Sequence, residues 1–488
     1  MAAGNWNLTS QPVLPGLFMN FVSAAGSAIA PGARGVVVAP VKAHWGPIGQ
    51  FVEVTSENAI KELFSADESG GATAYTTLFL SLLGGAKKLL AYRIADSSAV
   101  PAELVLKNSG SSAVDALKLS AKYSGERGNA FKVTVQPSLA VPDVKELKLY
   151  EGNALLRTIT LGSGDVDAAF TAINEDAGNK WIVAEKLSGG GVLADVSGLA
   201  LEGGASGISG ITNADYIAAT EAFETQDFHV LTLDGTTDAA LRTSLVAWIK
   251  RVRSEGKGIM AALGGTFAED TGADAVNKAI ARSIAADFEG VVNVGTGAVL
   301  NGKSYSSGQV ASWVAGLIAG QALKESTTYA ASPFEDVTRR WTRSEQEQAV
   351  QNGVFLLVHD GRRVKVLRGV NSLITLQQGQ NRGWKKIRKI RVIDQINADL
   401  QRQAEDHYIG KVNNTVEGRQ ALISAGQQYL QALAAESVIE ATGYDVMLDP
   451  RFYGDGAVMQ PEDDQVFLTW QADDTDVMEQ IFGTFYVQ

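Results

Sequence analysis

Two stretches of strand–helix alternation, set apart by about a hundred residues of a different rhythm, constrain this chain most. GVVVAPV (35–41) is a continuous apolar run, which reads as a strand covered on both faces. A helix follows around SENAIKELF, with Ser56 as its N-cap. A second runs through TAYTTLFLSLLGG and stops at Gly84 and Gly85. KKLLAYRI returns to strand. From 211 the rhythm resumes, with ADYIAATEAF, AALRTSLVAWIKRVRSEG and DAVNKAIARSIAADF as helices between the strands FHVLTLDG, GIMAALGG and GVVNVGTG. QVASWVAGLIAGQAL closes the series as a helix with small residues on one face. Strands alternating with helices of this length predict a parallel sheet wound on both sides. The domain is therefore expected to be discontinuous, 26–98 plus 206–350.

The intervening segment alternates with period two. KLKLY and FKVTV predict half-exposed antiparallel strands, so 99–205 reads as a β-rich insertion that ends in the linker LEGGASGISG. Beyond 350 the pattern changes again. GVFLLVHDGRRVKVLRGVNSLITL reads as a hairpin around Asp360-Gly361. KKIRKIRVIDQINADLQRQAEDHYIG reads as strand running into helix, and GRQALISAGQQYLQALAAESVI as a long amphipathic helix. The fold class is α/β and α+β multidomain, with 351–475 as a C-terminal α+β domain.

Two arms complete the chain. In 1–25, Pro12, Pro15 and Gly16 forbid a helix, while Trp6, Leu14, Leu17, Phe18 and Phe21 are too apolar for a disordered tail. In 476–488, IFGTFYVQ is rich in aromatic and β-branched residues and reads as a strand carrying Ile481, Phe482, Phe485, Tyr486 and Val487. It has neither proline nor charge to blunt its edge, so it is expected to pair with another strand.

Composition excludes several function classes. The 488 residues contain no cysteine and four histidines, His44, His229, His359 and His407, none in an HxxxH or HExxH pattern. Disulfides, metal sites and cofactors are therefore not expected. No apolar run approaches the roughly 18 residues of a membrane span, and MAAGNWNLTSQPVLPG lacks the regions of a signal peptide, so a chain made in the cytoplasm and kept there at least at first is expected. A net charge of −12 argues against general nucleic-acid binding. The charge is uneven, with ten Lys/Arg and no acid in 361–393, and ten Asp/Glu with one Arg in 441–488. Arg382, Lys385, Lys386, Arg388, Lys389 and Arg391 form the densest basic run and are candidates for electrostatic docking. A solvated charged face is the plainer reading of the same residues.

Two segments invite a catalytic reading. Asp234 ends the strand in HVLTLDGTTD, where α/β enzymes often keep a carboxylate. VAGLIA, in YSSGQVASWVAGLIAG, resembles the helix that follows the nucleophile of subtilisin-like serine proteases. That alignment puts Gly308 at the nucleophile position, with Ser306 and Ser307 out of register. Nothing matches the base-histidine segment, and His229 is at the other end of the strand from Asp234, so no triad is expected. Glycine-rich loops also fail: Gly295-x-Gly297 lacks the third glycine of a dinucleotide fingerprint, and there is no GxxxxGK[ST].

Taken in order, the motifs resemble the tail sheath proteins of contractile phage tails and phage-tail-like particles. LPGLFMNF resembles the family's Pro-Gly-Val-Tyr arm; ARGVVVAPVKAHWGP follows it, then VASWVAGLIAG and LRGVNSLIT. In LRGVNSLIT, Ser372 replaces the usual threonine of the family's Arg-x-x-Asn-Thr-Leu stretch. KKIRKIRVIDQINADL, HYIGKVNNTVEGRQAL and DVMEQIFGTFYV match the C-terminal region; the insertion at 99–205 matches least. The resemblance implies a subtilisin-like middle domain without chemistry, and subunits in hexameric rings stacked helically around an inner tube. It implies that both arms lend strands to neighbouring copies, with the tube, baseplate and tail terminator as partners and contraction as the output. A hydrolase of subtilisin-like fold is the alternative, and it lacks both nucleophile and base.

Overall fold

The computed structural model describes Ala2–Gly4, Gly16–Phe18 and residues 34–485. The chain divides into two compact units, one of residues 33–394 with 477–488 and one of residues 1–32 with 395–476.

The larger unit is built on a seven-stranded sheet. Its order is Val354–Phe355, Val291–Val294, Met260–Leu263, Val230–Thr232, Val36–Val41, Lys88–Arg93 and Phe51–Val54. All neighbours are parallel except Phe51–Val54, which joins the edge antiparallel to Lys88–Arg93. Apart from Thr232 and Asn293, the strands Val36–Val41, Val230–Thr232, Met260–Leu263 and Val291–Val294 are apolar, because both faces are covered. Val37, Ala39, Leu89, Val230, Ala262 and Val292 point to one side, toward the helices Ala74–Gly84 and Ser307–Gly320. Val38, Leu90, Leu231, Ala261 and Val291 point to the other, toward Asn213–Phe223 and Ala239–Ser254.

The local signals behave as their chemistry requires. Ser56 caps the helix Glu57–Phe64, accepting from the Ala59 amide, and Gly85 ends Ala74–Gly84 in the left-handed region at φ 113°. The small-residue face of Ser307–Gly320 has a specific use. A Cβ on Gly316 would stand 2.0 Å from the Ser81 carbonyl oxygen, and one on Gly84 would stand 2.2 Å from that of Trp313. The two helices thus meet backbone to backbone.

The insertion forms two antiparallel sheets. One has the order Ala154–Thr160, Lys145–Glu151, Phe131–Pro137, Val196–Ala200; the other is Ile182–Lys186, Asp115–Ala121, Glu103–Lys107. Alternate residues such as Phe131, Val133, Val135, Leu147 and Leu149 fill a separate core. Trp45, which precedes the insertion by some fifty residues, belongs to that core and packs edge-on against Tyr123 and Phe131. The fully buried Arg93 fastens the junction by donating to the carbonyls of Gly46, Ser124 and Ser206.

Past 350 the chain departs from the expected boundary. Val354–Phe355 is the edge strand of the main sheet, and the larger unit continues to Asp394. The hairpin around Asp360-Gly361 is present as Leu357–His359 and Val364–Val366. The segment expected to run from strand into helix is instead a short 3-10 turn, Arg382–Lys385, followed by the helix Ile387–Gln403. The reason is periodic: Ile387, Ile390 and Asp394, all buried, recur at three to four residues and share one helical face.

In the smaller unit the long helix Val416–Ala435 packs on a two-stranded antiparallel sheet, Asp445–Leu448 with Leu468–Gln471. Gly426 allows the Trp470 ring to lie against the helix, since a Cβ there would meet it at 2.5 Å. Tyr429 donates to Asp399 at 2.8 Å and Gln395 donates to its other oxygen, tying the helices together through a buried carboxylate.

Candidate assembly interface

The terminal segment contains an anchor and an exposed apolar run. Glu479 is held on the larger unit. Its carboxylate accepts from the Thr328 hydroxyl at 2.8 Å and pairs with Arg368 at 2.9 Å and Lys386 at 3.2 Å. Burial pushes this carboxyl up, but the Thr328 hydroxyl, the Lys386 charge and the Arg368 guanidinium together hold it below its ordinary value. On either side of the anchor the side chains face outward: Met478, Ile481, Phe482 and Phe485 are 85–90 % exposed. Residues 481–485 form no strand. A strand is defined by its partner, and among the described residues this segment has none. Tyr486 and Val487 lie outside the described residues.

The smaller unit offers open edges. Among the described residues, Asp445–Leu448 and Leu468–Gln471 pair only with each other, and a two-stranded sheet is marginal by itself. Its outer backbone groups can accept a further strand. In the N-terminal arm, Leu17 and Phe18 lie in Gly16–Phe18, which pairs in parallel with Ala2–Gly4. Leu14 and Phe21 lie outside the described residues.

The basic run divides in a way the sequence reading missed. Arg388 and Arg391 are buried. Arg388 donates to the Lys324 carbonyl at 3.2 Å, and Arg391 to those of Ala322 and Gln321, just beyond the helix Ser307–Gly320. Helix C-termini leave carbonyls unsatisfied, and guanidinium groups answer both them and the dipole. Burial, with Arg34 and Arg388 beside it, pushes the Arg391 guanidinium down to about 9. These two residues are internal braces, contrary to their expected place on a docking face. Lys385 donates to the Ile374 carbonyl at 2.6 Å and Lys386 pairs with Glu479. Lys389 is half-buried and Arg382 is exposed. Glu479 itself was not a candidate from sequence. The signal was there: it is the last acid of the acidic region, and Arg368 and Lys386 belong to the basic one.

The catalytic temptations resolve into structural roles. Asp234 is buried and accepts from Tyr216, Thr73 and Thr236, with Lys42 at 3.2 Å. Ser307 is fully buried and donates to Asp270 at 2.6 Å. A Cβ at Gly308 would stand 2.7 Å from the Thr237 methyl, so the position has no room for a nucleophile.

Residues 84–206 match the phage tail sheath protein beta-sandwich domain, 209–372 the phage tail sheath protein central domain, and 379–488 the phage tail sheath C-terminal domain. The chain belongs to the phage tail sheath family. This sheath protein is 28% identical over 223 residues to the tail sheath protein of Clostridium phage phiCD119, covering 45% of this chain and 57% of that one. The crystal structure of a sheath tail protein from Desulfitobacterium hafniense superposes with a TM-score of 0.69 at 27% identity, over 89% of this chain and 94% of that one. The contracted helical sheath of the anti-feeding prophage shares the fold, with a TM-score of 0.57 at 12% identity over 98% and 100% of the two chains. By its family the chain is a structural subunit of phage tail sheaths, not an enzyme. Among the described residues no helix is long and apolar enough to cross a membrane.

Proposed function

We propose that this sheath protein polymerises as hexameric rings stacked helically around an inner tube, and that contraction of the polymer drives the tube through a target cell envelope. The observation that carries the reading is the exposed apolar run Ile481, Phe482 and Phe485, next to an ionic anchor and without a strand partner among the described residues. Side chains of this kind, left in water, mark an interaction surface. Strand addition to the open two-stranded sheet of another copy would supply main-chain hydrogen bonds for affinity and alternate side chains for specificity. Leu14, Leu17, Phe18 and Phe21 would serve the N-terminal arm in the same way. A head-to-tail contact that does not close yields an open helical polymer.

The doubly wound body fits a subtilisin-like scaffold used as a rigid block, its former catalytic positions filled by glycine and buried hydrogen bonds. The inner tube, baseplate and tail terminator are the further partners, and assembly takes place in the bacterial host cytoplasm. The exposed Arg382 is the member of the basic run best placed to meet the tube or a neighbouring subunit. The likeness to the anti-feeding prophage's helical sheath in its contracted state supports the polymer form.

The test compares the full chain with one lacking residues 481–488 by negative-stain electron microscopy. Tubes or stacked rings from the full chain, and none from the truncated one, are expected. Equal assembly by both would remove the terminal strand from the account.

A further inference from the structure

The terminal segment does not simply trail from its domain. Residues up to Asp476 belong to the smaller unit, and from Val477 onward the chain belongs to the larger one. The first side chain after that crossover to be captured is Glu479, only 7% exposed, gripped by three groups from separate parts of the larger unit. Arg368 follows the hairpin strand Val364–Val366, Thr328 lies in the loop after Ser307–Gly320, and Lys386 immediately precedes the helix Ile387–Gln403. Arg368 approaches through two nitrogens, Nε at 3.0 Å and Nη2 at 2.9 Å, so the grip has direction as well as charge. Gln480, the next residue, lines a groove of about 590 Å³ with Tyr329, Arg343, Glu347 and Val350. Yet Ile481, Phe482 and Phe485 stay out of it and in solvent.

We propose that Glu479 is an ionic anchor that fixes where the terminal strand leaves its own body, so that residues 481–488 are presented outward to a second copy rather than folded back. This deepens the strand-donation reading and rests on it for its purpose, though not for its test. Without an anchor, a greasy tail on a flexible root would settle into the adjacent groove or onto neighbouring apolar surface. Ordering the root before assembly also lowers the entropy lost when the strand is taken up.

Hydrogen exchange of residues 477–485, measured on the unassembled full-length chain, tests it. Glu479→Gln keeps the shape and removes the charge. It should speed exchange of this stretch by about tenfold or more, the scale of a lost charge-assisted hydrogen bond, while the helix Ser307–Gly320 exchanges unchanged. Arg368→Gln should do the same, and the double variant should add less than the sum of the two, because both remove one interaction. Unchanged exchange in both single variants, or strictly additive effects, would overturn the anchor. Since the readout needs no polymer, loss of the anchor and failure of strand donation give separate results, the latter seen only when residues 481–488 are deleted.

Discussion

Buried charges in this protein act as fasteners between elements. Arg253, at the end of the helix Ala239–Ser254, reaches Asp394 on the helix Ile387–Gln403 through two bonds of 2.8 Å; Asp394 is buried and the Arg253 side chain is 11% exposed. Burial pushes the Asp394 carboxyl up against the pull of the guanidinium. Removing one partner strands the other. Asp394→Ala should therefore cost about 3–5 kcal/mol of stability, and Arg253→Met with Asp394→Leu should recover much of it. Urea unfolding of the two variants checks this, and equal midpoints for the single and double variants would contradict it. The pairing was invisible in sequence because 141 residues separate its members. Arg388 and Arg391 escaped for a related reason. A run of six basic residues reads as a charged face until a helix turns two of them toward the carbonyls of Lys324, Ala322 and Gln321 in the loop after another helix.

At the level of elements, periodicity was a good guide wherever an element is stabilised by its immediate neighbours. The N-cap Ser56, the stop at Gly85 and the Asp360-Gly361 turn stand where their chemistry put them. It misled where pairing is long-range. Val354–Phe355 is only two residues long, and its place at the edge of the main sheet comes from alignment with Val291–Val294, not from any local signal. The run around Lys386 was read as a strand although its buried isoleucines are spaced three apart, a helical interval. The small-residue face of Ser307–Gly320 was legible, but not its depth. Gly316 admits the Ser81 carbonyl so closely that Gly316→Leu must push the two helices apart. A loss of about 2–3 kcal/mol or more is expected, seen as a lower midpoint of thermal or urea unfolding. A neutral result would mean that the contact has slack that the backbone distances do not suggest.

At the scale of the whole molecule, the larger unit holds separate cores for its α/β and β-rich parts. A doubly wound sheet and a β-sandwich share a junction locked by Arg93, while a smaller unit carries a sheet with open edges. The sequence marked residues 481–488 as a strand; the structure leaves 481–485 as an exposed apolar segment. Both are consistent with a strand whose partner is in another chain, because propensity belongs to the sequence and pairing to the assembly. The absence of cysteine makes the central claim open to a clean test. Chains carrying Phe485→Cys would be mixed with differently tagged chains carrying Met447→Cys or Thr469→Cys, assembled, and treated with a short bis-maleimide. The account predicts covalent pairs between differently tagged chains. Intact assembly without any covalent pair between differently tagged chains would contradict it.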